Sequence, residues 1–149
     1  MPVCGRRNGE TRRNFQGKGM MMIEHPQLAG LRVLVLEDEM LVALLVEETL
    51  IDQHCIVIGP ASTVQEALAL ANTEPLDAAV IDVNIGGEKA YPVAELLDVR
   101  GIPFLFVSGY GQSAVPKDRP NWRVCAKPFR GEEMVRMLTN QVMDRRRDR

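Results

Sequence analysis

Glu37-Asp38, Asp82, Ser108 and Lys127 are the side chains of this sequence whose types suit chemistry, and each closes a short apolar run. Gathered at one point, three acids repel one another and raise each other's pKa unless a cation sits among them. A hard divalent ion with oxygen ligands resolves that conflict, and Mg²⁺ suits a small site of carboxylates and water that also takes phosphate. Lys127 adds a fixed positive charge, and the Ser108 hydroxyl can donate to a phosphoryl oxygen. The set fits phosphoryl transfer, which needs an in-line nucleophile and positive charge around the equatorial oxygens. Asp82, the most central acid, is the expected nucleophile and would yield an acyl phosphate. Glu37 and Asp38 are expected to hold Mg²⁺, with Lys127 and Ser108 on the phosphoryl oxygens.

The elements that must position these residues are legible as alternating strands and helices. Arg32-Val33-Leu34-Val35-Leu36 reads as a strand buried on both faces, ending at the Glu37-Asp38 pair. A helix is expected over residues 40–52, with Leu41, Leu44, Leu45 and Ile51 near helical spacing and Glu47, Glu48 and Asp52 for a wet face. Ile56-Val57-Ile58 is a second strand, closed by Gly59-Pro60. Ser62 or Thr63 can cap a helix running to about Asn72, which Pro75 stops. Ala78-Ala79-Val80-Ile81 is a third strand leading into Asp82, followed by a turn at Gly86-Gly87 and a helix over 91–99. Pro103-Phe104-Leu105-Phe106-Val107 leads to Ser108, and Arg123-Val124-Cys125-Ala126 to Lys127, before a last helix over 131–143. Such alternation implies a parallel sheet covered on both faces. Ligands of such sheets bind beyond the carboxyl ends of the strands, where all five residues would lie.

The chain has 149 residues, enough for one domain, with the apolar and charged fractions of a soluble globular protein. No apolar run approaches the roughly 18 residues needed to span a bilayer. Neither an export signal nor a zinc pattern is present, so the three cysteines (Cys4, Cys55, Cys125) read as reduced thiols and the expected location is cytoplasmic. Residues 1–30 are glycine- and arginine-rich without apolar period and are expected to form a loose extension, and 144–149 a basic tail. Between them, residues 31–143 hold nine basic and sixteen acidic side chains. An acidic body argues against nucleic acid as the main partner. His25 and His54 read as surface residues, Cys125 as a buried strand thiol, and Trp122 as a partly buried anchor.

These residues resemble the receiver domain of two-component response regulators over about Leu31 to Met143. The likeness rests on Val35-Leu36-Glu37-Asp38-Glu39, Ala79-Val80-Ile81-Asp82-Val83-Asn84, Val107-Ser108-Gly109-Tyr110 and Lys127-Pro128-Phe129, in that order. It implies a flavodoxin-like (CheY-like) five-stranded sheet of order 2-1-3-4-5. It further implies Mg²⁺ bound by Asp38, Asp82 and the backbone carbonyl of Asn84, with Glu37 acting through a water, and a cis Lys127-Pro128 bond. The phosphoryl donor would be a phosphohistidine on a sensor histidine kinase or a histidine phosphotransfer protein. Receivers usually carry an aromatic switch residue three positions before the lysine, where this chain has Val124. Residues 109–121 are also too rich in glycine and proline for an ordinary fourth helix. Both departures resemble the stand-alone "FATGUY" receivers of alphaproteobacteria. The loop is expected to be mobile and to order on phosphorylation, with Tyr110 the candidate substitute for the missing aromatic.

The sequence contains no DNA-binding or enzymatic segment beside the receiver, so output is expected to pass through partner proteins. The expected reader surface is the fourth strand, the loop after it, the fifth strand and the last helix. A phosphate sink or relay intermediate is the alternative, as is, more remotely, an aspartyl-phosphate phosphatase. Such phosphatases use a second acid two residues past the nucleophile, where this chain has Asn84. The chain is therefore expected to catalyse only its own phosphorylation and dephosphorylation, as a monomer or weak dimer.

Overall fold

The computed structural model describes residues 23–148. Seven strands and four helices follow in order: β1 (Arg32–Leu36), α1 (Met40–Asp52), β2 (Ile56–Ala61), α2 (Val64–Thr73), β3 (Ala78–Asp82), β4 (Asn84–Ile85), β5 (Glu88–Lys89), α3 (Tyr91–Val99), β6 (Phe104–Ser108), β7 (Val124–Ala126) and α4 (Gly131–Arg147). Five of the strands form one parallel sheet in the order β2-β1-β3-β6-β7, and β4 and β5 pair as a separate antiparallel hairpin. This is the CheY-like flavodoxin arrangement expected from the sequence.

Period-two alternation in the central strands splits the core between the two faces of the sheet. Leu34, Leu36, Ala79, Ile81, Phe104 and Phe106 point to the side covered by α2 and α3. Val33, Val35, Val80, Leu105, Val107 and Cys125 point to the side covered by α1 and α4. Thr63 caps α2, its side chain accepting from Glu66 N at 3.0 Å, while Glu66 Oε1 accepts from Ser62 N.

The structure departs from the sequence reading in five places. In α1 the buried residues are Ala43, Val46, Thr49 and Leu50, whereas Leu41, Leu44, Leu45 and Ile51 are exposed. The helix is apolar over most of its surface, so spacing did not select its inner face, and three of the four side chains that face inward are small or β-branched. Strand β2 does not stop at Gly59-Pro60: it bulges there, with a cis Gly59–Pro60 peptide, and resumes pairing at Leu36 with Ala61. Gly59 has φ +105, and a Cβ on it would lie 2.7 Å from Ala61 N, so only glycine fits. Helix α4 runs past Met143 to Arg147, with Glu132 and Glu133 in its first turn and arginines in its last, as its dipole favours.

The N-terminal extension is not loose throughout. Pro26–Leu28 form one turn of 3-10 helix with Leu28 fully buried, and Gln53 ties to His25 N and the Ile23 carbonyl. The rest of that expectation, residues 1–22, lies outside the described residues. Finally, Trp122 is 1% exposed rather than partly buried. Its ring centroid lies 5.6 Å from that of Phe106 and 6.0 Å from those of Phe104 and Tyr91, and its Nε1 donates to Asp98 Oδ2 at 2.7 Å. Between β6 and β7, where a fourth helix is missing, only Gly111–Ala114 forms a 3-10 turn. Trp122 and Val115 cover the sheet there instead. Among the described residues no helix is long and apolar enough to cross a membrane.

Candidate functional site

Asp82 ends β3, the middle strand, and is 5% exposed. Its Oδ1 accepts from Asn84 N at 3.1 Å and its Oδ2 from Lys127 Nζ at 2.9 Å. Lys127 follows β7, two strands away. Its backbone N–H donates to the Ser108 carbonyl at 2.8 Å, which fixes the lysine to the end of β6, and the Lys127–Pro128 peptide is cis. The ammonium group also lies 2.9 Å from Glu39 Oε1 and 3.2 Å from Glu37 Oε1. Burial works against a charged amine here, but the hydrogen bonds to Asp82 and Glu39 and the charges of Asp82 and Glu37 outweigh it. They hold the Lys127 pKa above the ordinary lysine value.

Glu37 sits where the β2 bulge meets the end of β1: its N–H donates to the Ala61 carbonyl at 2.9 Å. Its side chain is buried, with Oε2 accepting from Glu39 N at 3.1 Å. Oε1 has no hydrogen-bond partner, because the Lys127 contact at 3.2 Å is a charge contact too oblique to count as one. Burial pushes the Glu37 pKa up to about 7; the Glu39 N–H pulls it down, and the neighbouring Asp82 charge adds to the rise. Carboxylate oxygens of Glu37, Glu39 and Asp82 all lie within 4.8 Å of one another.

The structure thus brings Glu37, Asp82 and Lys127 together and places the other candidates around them. Asp38 is exposed at the same strand end, its Oδ2 accepting from Gly86 N at 2.9 Å, so its carboxylate faces the hairpin loop. Ser108 is buried at the end of β6, and its Oγ accepts from Tyr110 N at 3.0 Å. Asn84 is half-buried, with its side-chain oxygen held by Lys89 Nζ at 2.6 Å. Tyr110 is 74% exposed, and Val124 is buried. Cys125 is a buried strand thiol, its pKa pushed up to about 11 by burial.

Two residues at the rim were not singled out from sequence. Glu39 is the third member of a Glu-Asp-Glu run, and nothing in the run says which way the chain turns as it leaves β1. Lys89 did have a signal: two glycines flanked by short extended segments mark a tight hairpin, and Gly86 and Gly87 have φ +58 and +82. That turn pairs Asn84 with Lys89.

No protein-family model and no curated protein matches the chain. Solved structures do. SdrG from Sphingomonas melonis Fr1 is 36% identical with a TM-score of 0.66, over 78% of this chain and 98% of that one. The response regulator PhyR from Brucella abortus is 23% identical with a TM-score of 0.71, over 81% of this chain and 51% of PhyR, so this chain spans about half its length. A CheY-like response regulator receiver domain protein from Methanospirillum hungatei JF-1 is 15% identical with a TM-score of 0.68, over 81% and 100%, a likeness of fold alone. These matches bear on the family and not on a subtype within it. Kinship at the level of SdrG, along nearly all of that protein, goes beyond fold, and the chain belongs to the response-regulator receiver domains.

Proposed function

We propose that this receiver takes a phosphoryl group onto Asp82 from a phosphohistidine of a sensor kinase or histidine phosphotransfer protein, and signals through protein contacts. The observation that carries the reading is the Asp82–Lys127 pair at 2.9 Å beside a buried, half-unpaired Glu37. In the transfer, an Asp82 carboxylate oxygen bonds to phosphorus as the bond from phosphorus to the imidazole nitrogen breaks. The electron pair returns to the imidazole. Lys127 keeps its proton throughout and offsets charge on Asp82 and on the incoming oxygens. Ser108, whose Oγ accepts from Tyr110 N, would turn its hydroxyl proton toward a phosphoryl oxygen.

The residues present fit Mg²⁺: three carboxylates converge, and one buried oxygen of Glu37 lacks a hydrogen bond. Asp82 would hold the ion directly with the Asn84 carbonyl, and Glu37 through a water; Asp38, which lies outside that cluster, would join them by turning from its bond to Gly86 N. When bound, it supplies positive charge against the acids and the phosphoryl oxygens.

The donor's landing face is supported by α1. A donor imidazole must reach Asp82 past the rim, so the donor must lie against what surrounds it. Met40, Leu41, Leu44 and Leu45 expose apolar surface there, and Val42, Leu45, Pro128 and Phe129 line a cavity of about 380 Å³ beside Lys127. Exposed apolar surface of this kind marks a protein-binding site. Asn84 in place of a general acid leaves no group to protonate an external leaving alcohol, so the chain would turn over only its own acyl phosphate.

Incubation with acetyl phosphate and Mg²⁺, followed by intact mass, tests the proposal. The wild type should gain one phosphoryl group, and Asp82→Asn should gain none. An equal gain in both would refute Asp82 as the acceptor.

A further inference from the structure

We infer that Lys89 is a positioning residue for the acyl phosphate, prolonging its life from the loop side of the site. The inference rests on Asp82 being the phosphoryl acceptor. Among the described residues Lys89 makes no ion pair, although the loop it belongs to borders an acidic rim. Its ammonium group instead lies 2.6 Å from the side-chain oxygen of Asn84, and the backbone N–H of Asn84 donates to Asp82 Oδ1 at 3.1 Å. Lys127 meets the other oxygen, Oδ2. Asp82 is therefore approached by an ammonium group directly on one side and through Asn84 on the other.

The backbone sets Asn84 and Lys89 opposite each other. The Gly86-Gly87 turn fixes the register of Asn84 against Lys89, and Asp38 Oδ2 anchors the turn through Gly86 N. In hydrolysis a water oxygen bonds to phosphorus as the phosphorus–Asp82 oxygen bond breaks. The electron pair returns to the Asp82 carboxylate, and the water gives up a proton to solvent. That water must arrive in line with the breaking bond. On this proposal the Asn84 side chain, held by Lys89, narrows the loop-side approach of that water, and the charge of Lys89 behind it offsets charge on the phosphoryl group. Both effects stabilise the phosphorylated state against attack.

The test uses the full chain, labelled with acetyl phosphate and Mg²⁺ and freed of donor, with the adduct followed by intact mass over time. Lys89→Ala should shorten the half-life by roughly threefold to tenfold, the scale of one polar contact. Lys89→Arg, which keeps charge and length, should restore most of it. High salt should shorten the wild-type half-life and leave that of Lys89→Ala nearly unchanged, a response a merely structural role would not give. A wild-type chain that never gains the phosphoryl group would overturn the acceptor reading and this one together. A labelled wild type whose half-life Lys89→Ala leaves unaltered would overturn the Lys89 assignment alone.

Discussion

Glu37 is buried with one oxygen lacking a hydrogen bond, and it shares the Lys127 ammonium, at 3.2 Å, with Asp82 and Glu39, each at 2.9 Å. Its charge is therefore set by what else enters the site. A folded-state pKa of about 7 against an ordinary 4.5 means the fold prefers Glu37 protonated. That preference contributes stability fully present below pH about 4.5 and lost as pH rises through about 7. In EDTA, the thermal midpoint of the wild type should fall across this window by an amount equivalent to about 2–3 kcal/mol. Glu37→Gln, which cannot titrate, should flatten the slope, and equal slopes in the two proteins would rule the explanation out. Mg²⁺ should recover the loss at the high-pH end, because the ion favours the ionised carboxylate. The position of Glu37 at a strand end was legible from Val35-Leu36-Glu37, but its unpaired oxygen was not. That depends on how the chain turns as it leaves β1, where Asp38 and Glu39, adjacent in sequence, diverge in space, one to Gly86 and the other to Lys127.

Among the elements, α1 shows where periodicity stops being informative. Strands such as Val33–Val35 and Phe104–Val107 were legible because charge, glycine or proline bounds each apolar run. A helix reading Met-Leu-Val-Ala-Leu-Leu-Val offers several apolar stripes, and the tertiary fit chooses Ala43, Val46 and Leu50. One contact on that inner side makes the fit explicit. A Cβ on Gly131, the first residue of α4, would lie 2.8 Å from Thr49 Oγ1 and 3.1 Å from Thr49 Cγ2. Rotating Thr49 would relieve only one of the two contacts, and it would also cost the hydrogen bond from Oγ1 to the Leu45 carbonyl at 2.7 Å. Gly131→Ala should therefore destabilise the protein by about 1–3 kcal/mol in urea unfolding. The double variant Gly131→Ala/Thr49→Ala should be less destabilised than the sum of the singles, and simple additivity would show that the two residues do not collide.

Across the whole molecule, the two cores on opposite faces of one sheet place every charged strand end on a single rim. That much follows from the order of the apolar runs, whereas the covering of the α3 side does not. Without a fourth helix, the segment 109–121 is tied down by single contacts: Tyr91 Oη to the Ala114 carbonyl, Gln112 to Trp122 O and Val124 N, and Arg119 to Glu95. Sequence patterning has no means of anticipating such ties, since each joins residues with no shared period. They connect the segment directly after Ser108 to the packed aromatic group around Trp122, so a change at the rim has a short path into the core.

That aromatic group makes the molecule its own optical probe. Trp122 is the sole tryptophan of the chain, shielded from solvent, with the Arg119 guanidinium 4.8 Å from its ring centroid. Its fluorescence therefore arises from one place, the base of the segment that follows Ser108. Beryllofluoride with Mg²⁺ should shift or quench that emission in the wild type and leave Asp82→Asn dark to the addition. An unchanged spectrum in the wild type would mean that the segment does not respond to the acyl-phosphate mimic. A shift would let the response of this receiver to beryllofluoride be timed by stopped flow without attaching any dye.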